Sequence, residues 1–177
     1  MPFKIAIPGS SFAPESVITD AGMEVVRGPS GTTAEYIETL QDCDGALIST
    51  IPLTDREVLE ACPKLKIVSR MGVGVDSIDM DVATELGILA CNTPGVNTTE
   101  VADHAVGLLL TLMRMIPESA AAVRRGAWTD NKDLMRHFQT TAQRVAGHTV
   151  GIIGFGTIGR GVARIAEGLG MMVLAAA

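Results

Sequence analysis

Short apolar runs recur along the first half of the chain, and polar, helix-patterned stretches fill the gaps between them. Lys4-Ile5-Ala6-Ile7-Pro8 reads as a strand closed by Pro8-Gly9. Met23-Glu24-Val25-Val26, stopped by Gly28-Pro29, is a second, and Gly45-Ala46-Leu47-Ile48-Ser49 a third. Leu65-Lys66-Ile67-Val68-Ser69 is a fourth and Ile88-Leu89-Ala90-Cys91 a fifth. Helix signals stand between them. Thr54 with Glu57 forms a capping box ahead of Val58 and Leu59, and Pro63 follows. Asp79 caps a helix that runs through Leu86, with Gly87 as its left-handed stop. Strands alternating with helices predict a parallel sheet covered on both faces.

After Thr93-Pro94-Gly95 the pattern changes. Asn97 is placed to cap, with Glu100 at the third helical position. A long helix follows from Thr99 to Met115, its apolar face formed by Val101, Ala105, Leu108, Leu109, Leu112 and Met113. Pro117 opens the next helix and Gly126 ends it. Residues 129–146 read as a polar connector with some helix. A fresh strand, Thr149 to Ile153, then leads to a helix, Arg160 to Leu169, and a strand, Met172 to Ala175. The fold class is therefore α/β, with two parts. Residues 1–98 form a flavodoxin-like lobe, and residues 99–177 a run of helices and the start of a second, Rossmann-like α/β unit.

Composition narrows the picture. Hydrophobic residues make up 47% of the chain and aromatics only 3%, so the core is built from Val, Ile, Leu, Met and Ala, as in buried parallel sheets. Met71, Met113, Met115, Met171 and Met172 read as core filler. The net charge of −6 argues against a nucleic-acid surface. The most apolar stretch, Ala105 to Met113, falls short of the roughly 20 residues of a membrane span and reads as a buried helix. No signal peptide is visible ahead of the first strand. Cys43, Cys62 and Cys91 include no C-x-x-C pair and are odd in number. They are expected to be packing residues in a cytoplasmic protein.

No metal site is expected. Asp76, Asp79 and Asp81 lack the glycine and distal glutamate of a calcium loop, and helix caps explain them better. His104 reads as a packed or interface residue, and His137 and His148 carry no motif.

The chemistry concentrates in Gly154-Phe155-Gly156-Thr157-Ile158-Gly159. This G-x-G-x-x-G follows a strand and opens a helix, the context a dinucleotide-binding turn needs. Gly154 permits the tight turn, Gly156 lets a pyrophosphate approach the backbone, and Gly159 lets the helix pack close to the strand. The amides of Thr157 and Ile158 would then face phosphate oxygens at the positive end of the helix. An acid is expected about 20 residues on, to hold the ribose hydroxyls. The strand there reads Val173-Leu174-Ala175-Ala176-Ala177, with no acid; NAD is the expected cofactor and NADP is not excluded.

Several further segments occur in a fixed order. They are Ser69-Arg70-Met71-Gly72-Val73-Gly74-Val75-Asp76-Ser77-Ile78-Asp79, Asn92-Thr93-Pro94-Gly95 and Val101-Ala102-Asp103-His104. Arg114-Met115-Ile116-Pro117, Arg125-Gly126-Ala127-Trp128 and Gly147-His148-Thr149-Val150-Gly151 follow. Together with the glycine turn they resemble the D-isomer-specific 2-hydroxyacid dehydrogenases, most closely the phosphoglycerate dehydrogenase-like members. The resemblance is clearest from Lys64 to Leu174. It implies an NAD-dependent oxidoreductase acting on the CH–OH group of a small 2-hydroxy acid or its 2-oxo partner, and a homodimer built on the helices from Val101 to Arg125.

The resemblance also implies residue roles. The loop Gly72-Val73-Gly74 would hold the substrate carboxylate through Val73 and Gly74, with Val73 also touching the cofactor. Asn97 and Val101 match positions beside substrate and nicotinamide. The family's catalytic arginine, carboxylate and histidine follow the second strand of the cofactor domain, and nothing in these 177 residues matches them. No catalytic residue is expected here, and this segment alone is expected to be inactive. Two other readings are a non-catalytic dinucleotide-binding module of the corepressor type and a degenerate interaction fragment. An Arg, a carboxylate and a Pro-His pair encoded beyond residue 177 would favour the enzyme.

Overall fold

The computed structural model describes residues 1–11, 13–28, 31–127 and 131–176. The Pro29 stop, the Trp128 landmark, the first residues of the 129–146 connector and the Ala177 position lie outside the described residues. The chain divides into two compact units, Met1–Val96 and Asn97–Ala177.

The first unit alternates β1 (Lys4–Pro8), α1 (Ser16–Thr19), β2 (Glu24–Gly28), α2 (Thr33–Leu40) and β3 (Gly45–Ile48). It continues with α3 (Arg56–Ala61), β4 (Ile67–Arg70), α4 (Met80–Glu85) and β5 (Leu89–Cys91). All five strands are parallel, in the order β2-β1-β3-β4-β5. This is the flavodoxin-like order, and its ligand crevice lies at the carboxyl ends of the strands where the order reverses. The core needs few aromatics. Ile48, Val58, Val68 and Val82 are at most 1% exposed, and Tyr36 is the one aromatic ring in this core among the described residues.

Several strands differ from their expected bounds by one or two residues because pairing, not hydropathy, sets them. β2 reaches Gly28, which pairs with Pro8, and β4 reaches Arg70, which pairs with Ile48. The cap of α3 also differs. Asp55 accepts from the Val58 amide at 3.2 Å, while Thr54 is fully buried, bridges Ile78 and shares a 3.1 Å hydrogen bond with the Tyr36 hydroxyl. The Thr54–Glu57 box is thus replaced, because the sheet-like bridge claims Thr54. A true capping box opens α2: Glu35 accepts from the Thr32 amide at 2.8 Å and Thr32 Oγ1 accepts in return from the Glu35 amide. Asp79 caps α4 through the Val82 amide at 3.0 Å, and Gly87 is left-handed (φ +71°).

The second unit contains α5 (Thr98–Met113), α6 (Ile116–Arg124), α7 (Lys132–Thr141), β6 (Thr149–Ile153), α8 (Thr157–Gly168) and β7 (Met172–Ala176). β6 and β7 pair in parallel. Pro117 lies in the first turn of α6, whose preceding residue Met115 is left-handed (φ +52°), and Gly126 (φ +74°) closes that helix.

Three expectations are corrected here. Asn97 stands at the N-cap position of α5 but its side chain accepts no capping bond. The face of α5 that packs is Ala102 and Val106, not the Val101–Leu108–Leu112 row; Leu108 is 59% and Leu112 79% exposed. Small residues set this contact: a Cβ on Gly161 of α8 would stand 3.0 Å from the Ala102 methyl, so that methyl packs directly against the glycine. The larger apolar row is left uncovered, and the stretch Ala105 to Met113 is not a buried helix in this chain. Finally, Cys91 is exposed, since it ends the edge strand β5, and Met172 is 60% exposed, whereas Cys43, Cys62 and Met171 are buried.

Among the described residues no single helix is long and apolar enough to cross a membrane; α5 and α6 reach that length only as a pair bent by 62°.

Candidate functional site

The glycine turn of the second unit is a single connected structure. β6 ends at Ile153, and Gly154 reverses the chain with φ +91° while its amide donates to Ala176 O at 2.8 Å. Gly156 is the N-cap of α8 in extended conformation. A glycine cap has no side chain to accept from the first-turn amides, so the N–H groups at the start of α8 keep no side-chain partner. The helix starts at Thr157, three residues before the expected Arg160, so Thr157 and Ile158 are its first two residues. Arg160 ties the turn from outside, its amide donating to Gly156 O at 3.0 Å and its Nε to Phe155 O at 3.1 Å.

The three glycines have three different surroundings. A Cβ on Gly159 would run into the carbonyl oxygen of Gly154, so strand and helix approach as closely as glycine permits. A Cβ on Gly156 would meet nothing within 4 Å. That open space in front of uncapped amides is a cradle for an anion, and the residues present fit a dinucleotide pyrophosphate. β7 carries no acidic residue at its described end, Leu174-Ala175-Ala176.

The first unit presents a second loop at the carboxyl end of β4. Gly72 has φ +154°, a conformation that favours glycine, and Val73 is 48% exposed. The loop is latched from β5. Asn92 Nδ2 donates to Val73 O at 2.8 Å, the Thr93 amide to Gly72 O at 3.0 Å and Thr93 Oγ1 to Arg70 O at 3.4 Å. With its carbonyls so engaged, the loop leaves its exposed stretch at Val73 and Gly74 facing solvent. Sequence reasoning gave no role to Asn92 and Thr93. The signal available was two hydrogen-bonding side chains directly after an edge strand. It also passed over Arg70, whose guanidinium folds back to donate to Met71 O.

The expected site residues thus fall into separate groups. Gly154, Gly156, Thr157, Ile158 and Gly159 share one turn; Val73 and Gly74 share one loop. Asn97 and Val101 lie one turn apart at the start of α5, the Val101 amide donating to Asn97 O at 3.0 Å. Among the described residues no cluster of three His, Cys, Asp or Glu side chains could hold a metal ion.

A β–turn–α–β unit with this glycine geometry has the form of a dinucleotide-binding fold, and the first unit has flavodoxin-like topology. The family model for the D-isomer specific 2-hydroxyacid dehydrogenase catalytic domain matches residues 13–157, and the chain belongs to that family. It is 36% identical over 155 residues to D-3-phosphoglycerate dehydrogenase of Rattus norvegicus, covering 88% of this chain and 28% of that enzyme. It is 46% identical over 140 residues to glyoxylate reductase of Korarchaeum cryptofilum, covering 78% of this chain and 41% of that enzyme. Among solved structures it superposes on the TT0316 protein of Thermus thermophilus with a TM-score of 0.86 and 30% identity, covering 98% of this chain and 55% of that one. An NAD-dependent formate dehydrogenase of Staphylococcus aureus, solved in complex with NAD, gives 0.83 and 25%, covering 98% and 56%. The chain spans less than half the length of these curated relatives and about half that of the solved ones.

Proposed function

We propose that the chain forms the substrate-loop and phosphate-turn portion of an NAD-dependent oxidoreductase acting on the CH–OH group of a small D-2-hydroxy acid or the matching 2-oxo acid. The observation that carries this reading is the uncapped helix start at Gly156, Thr157 and Ile158, open in front and packed tight behind through Gly159. Family membership supplies the substrate class.

The nicotinamide group, when bound, supplies hydride acceptance and donation. This chain's residues bind and orient. The amides of Thr157 and Ile158, at the positive end of a helix, hold pyrophosphate oxygens, and Gly156 lets them approach. The amides of Val73 and Gly74 hold the carboxylate of the acid, on a loop kept rigid by Asn92 and Thr93. Asn97 and Val101, by their match to family positions, border the substrate and nicotinamide. The general acid–base histidine, its carboxylate partner and the substrate arginine are proposed to come from outside these residues, so that the 177-residue segment alone is inactive. Phosphoglycerate is the first substrate to test, since phosphoglycerate dehydrogenases are among the relatives. NAD is proposed over NADP on the NAD-bound relatives alone. A homodimer through the uncovered row of α5 and a cytoplasmic location complete the reading.

The test is absorbance of reduced cofactor with the full-length protein, offered NAD or NADP and a panel of D-2-hydroxy acids. Turnover of at least one D-acid, with its L-isomer inert, supports the reading. Cofactor binding without any turnover would move it to the corepressor-type module.

A further inference from the structure

The turn between β6 and α8 carries the carbonyl groups of Gly154, Phe155 and Gly156. A carbonyl oxygen that faces a phosphate repels it, so a turn that binds one must aim all three elsewhere. The backbone disposes of two. Gly154 O faces Gly159, with no room for a side chain between them. Gly156 O accepts from the Arg160 amide at 3.0 Å, the bond that an N-cap carbonyl gives its helix. Phe155 O is held by a side chain instead: it accepts from Arg160 Nε at 3.1 Å. The peptide between Phe155 and Gly156 is trans, so its N–H points away from that carbonyl. No acceptor among the described residues takes the Gly156 N–H. The rest of the Arg160 guanidinium is exposed, and its Nη1 and Nη2 have no partner among the described residues.

We propose that Arg160 is a positioning residue of this turn: by holding Phe155 O it aims the Gly156 N–H at the dinucleotide pyrophosphate, beside the amides of Thr157 and Ile158. The inference rests on the proposed reading of the turn as a phosphate site. The bond acts in two ways. It keeps a carbonyl oxygen out of the path of the anion, and it fixes a peptide plane before the ligand arrives, so that binding has less ordering left to do. Glycine makes such a hold necessary. Gly156 leaves the pyrophosphate open space, but its own backbone is the freest of any residue, and nothing on the residue itself aims its amide. The charge of Arg160 also attracts the anion, but salt screens that attraction at an exposed site, whereas an aimed amide in contact with phosphate persists.

The experiment measures NAD binding by calorimetry in the full-length protein and its Arg160→Gln and Arg160→Met variants, at low salt and at about 0.5 M salt. Glutamine puts a neutral N–H donor the same number of bonds from the backbone as the arginine Nε, and methionine puts a methyl there. Arg160→Met is expected to raise the Kd for NAD about three- to tenfold, the worth of one modest hydrogen bond, and to keep that loss at high salt. Arg160→Gln should recover most of it at high salt. The nitrogen and proton shifts of the Gly156 amide should stay near wild type in Arg160→Gln and move in Arg160→Met, while urea unfolding stays the same in all three. Equal losses in the two variants at high salt, or no loss in Arg160→Met, would overturn the proposal. So would a loss in Arg160→Met that a fall in stability accounts for. Wild-type protein that binds neither NAD nor NADP would sink the reading of the turn, and this proposal with it; a wild type and Arg160→Met that bind NAD equally well would sink the proposal alone.

Discussion

Gly159, in the first turn of α8, faces the carbonyl oxygen of Gly154 so closely that no side chain fits between them. Gly156, between the two in sequence, faces open space. The same substitution should therefore act differently at each. Gly159→Ala overpacks a strand–helix contact and should cost about 1–3 kcal/mol of stability. Gly156→Ala should cost less than about 1 kcal/mol, since alanine is only a poor cap there. It places a methyl where the pyrophosphate approaches, so dinucleotide affinity should fall without a matching loss of stability. Urea unfolding and NAD titration on both variants, in the full-length protein, check this. Equal stability losses would show that the open space in front of Gly156 is not free.

These two glycines also show what the sequence made legible. The G-x-G-x-x-G spacing and its strand–helix setting assigned each glycine a role; Gly159 packs strand against helix as assigned, and Gly156 faces open space. The parallel alternation of the first unit was equally readable, because short apolar strands between capped helices leave few topologies. What could not be read were choices between neighbours. Thr54 and Asp55 are both good caps, and a bridge to Ile78 decides which is used. On α5 the larger apolar residues suggested the packed face, but Ala102 and Val106 win because Gly161 lets α8 come close. The Asn92 and Thr93 latch depends on two strands meeting, which no local pattern records.

The Tyr36 hydroxyl and Thr54 Oγ1 meet at 3.1 Å in a site where Tyr36 is 8% and Thr54 0% exposed. Thr54 also receives the Asp79 amide on its carbonyl at 3.0 Å, so this pair anchors the start of α4. Removing one partner leaves the other buried and unsatisfied. Tyr36→Phe and Thr54→Val should each cost about 1–3 kcal/mol, and the double variant less than their sum. Chemical denaturation of all three gives the coupling; strict additivity would mean that water already serves both hydroxyls.

Acid should weaken the first unit through a small set of surface carboxylates. Hydrogen bonds from Lys64 hold Asp42 below the ordinary 3.8, and those from Lys66 and the Lys4 amide do the same for Asp44. The Thr32 amide and hydroxyl likewise hold Glu35 below 4.5. A carboxylate whose folded value is depressed contributes stability that is present above its unfolded value and lost as pH falls through the folded one. Melting temperature should therefore be flat from these contacts at neutral pH and begin to fall below about pH 4. Asp42→Asn with Asp44→Asn should flatten part of that fall. The pairs are exposed, so high salt should shrink the difference.

The three cysteines should separate cleanly by reactivity. Cys43 and Cys62 are 1% and 0% exposed, and Cys91 ends the edge strand in solvent. Burial pushes the Cys62 thiol up to about 11, and burial raises Cys43 as well. Only a thiolate attacks a disulfide reagent, so these two are shielded both by access and by protonation. At about pH 8, near the ordinary thiol range, a chromogenic disulfide should react with Cys91 within the mixing phase and with the buried pair only on opening of the first unit. Counting Cys43, Cys62 and Cys91 alone, one should react early and all three in denaturant, a difference that Cys91→Ser would reduce to no early reaction. The raised Cys62 value carries a second consequence. Its neutral thiol favours the fold fully below the ordinary 9.0, and that contribution is lost as pH rises from there through about 11. Cys62→Ala should therefore lessen the loss of stability between those two values while creating a small cavity. A variant that unfolds with the same alkaline profile as wild type would place the alkaline weakness elsewhere.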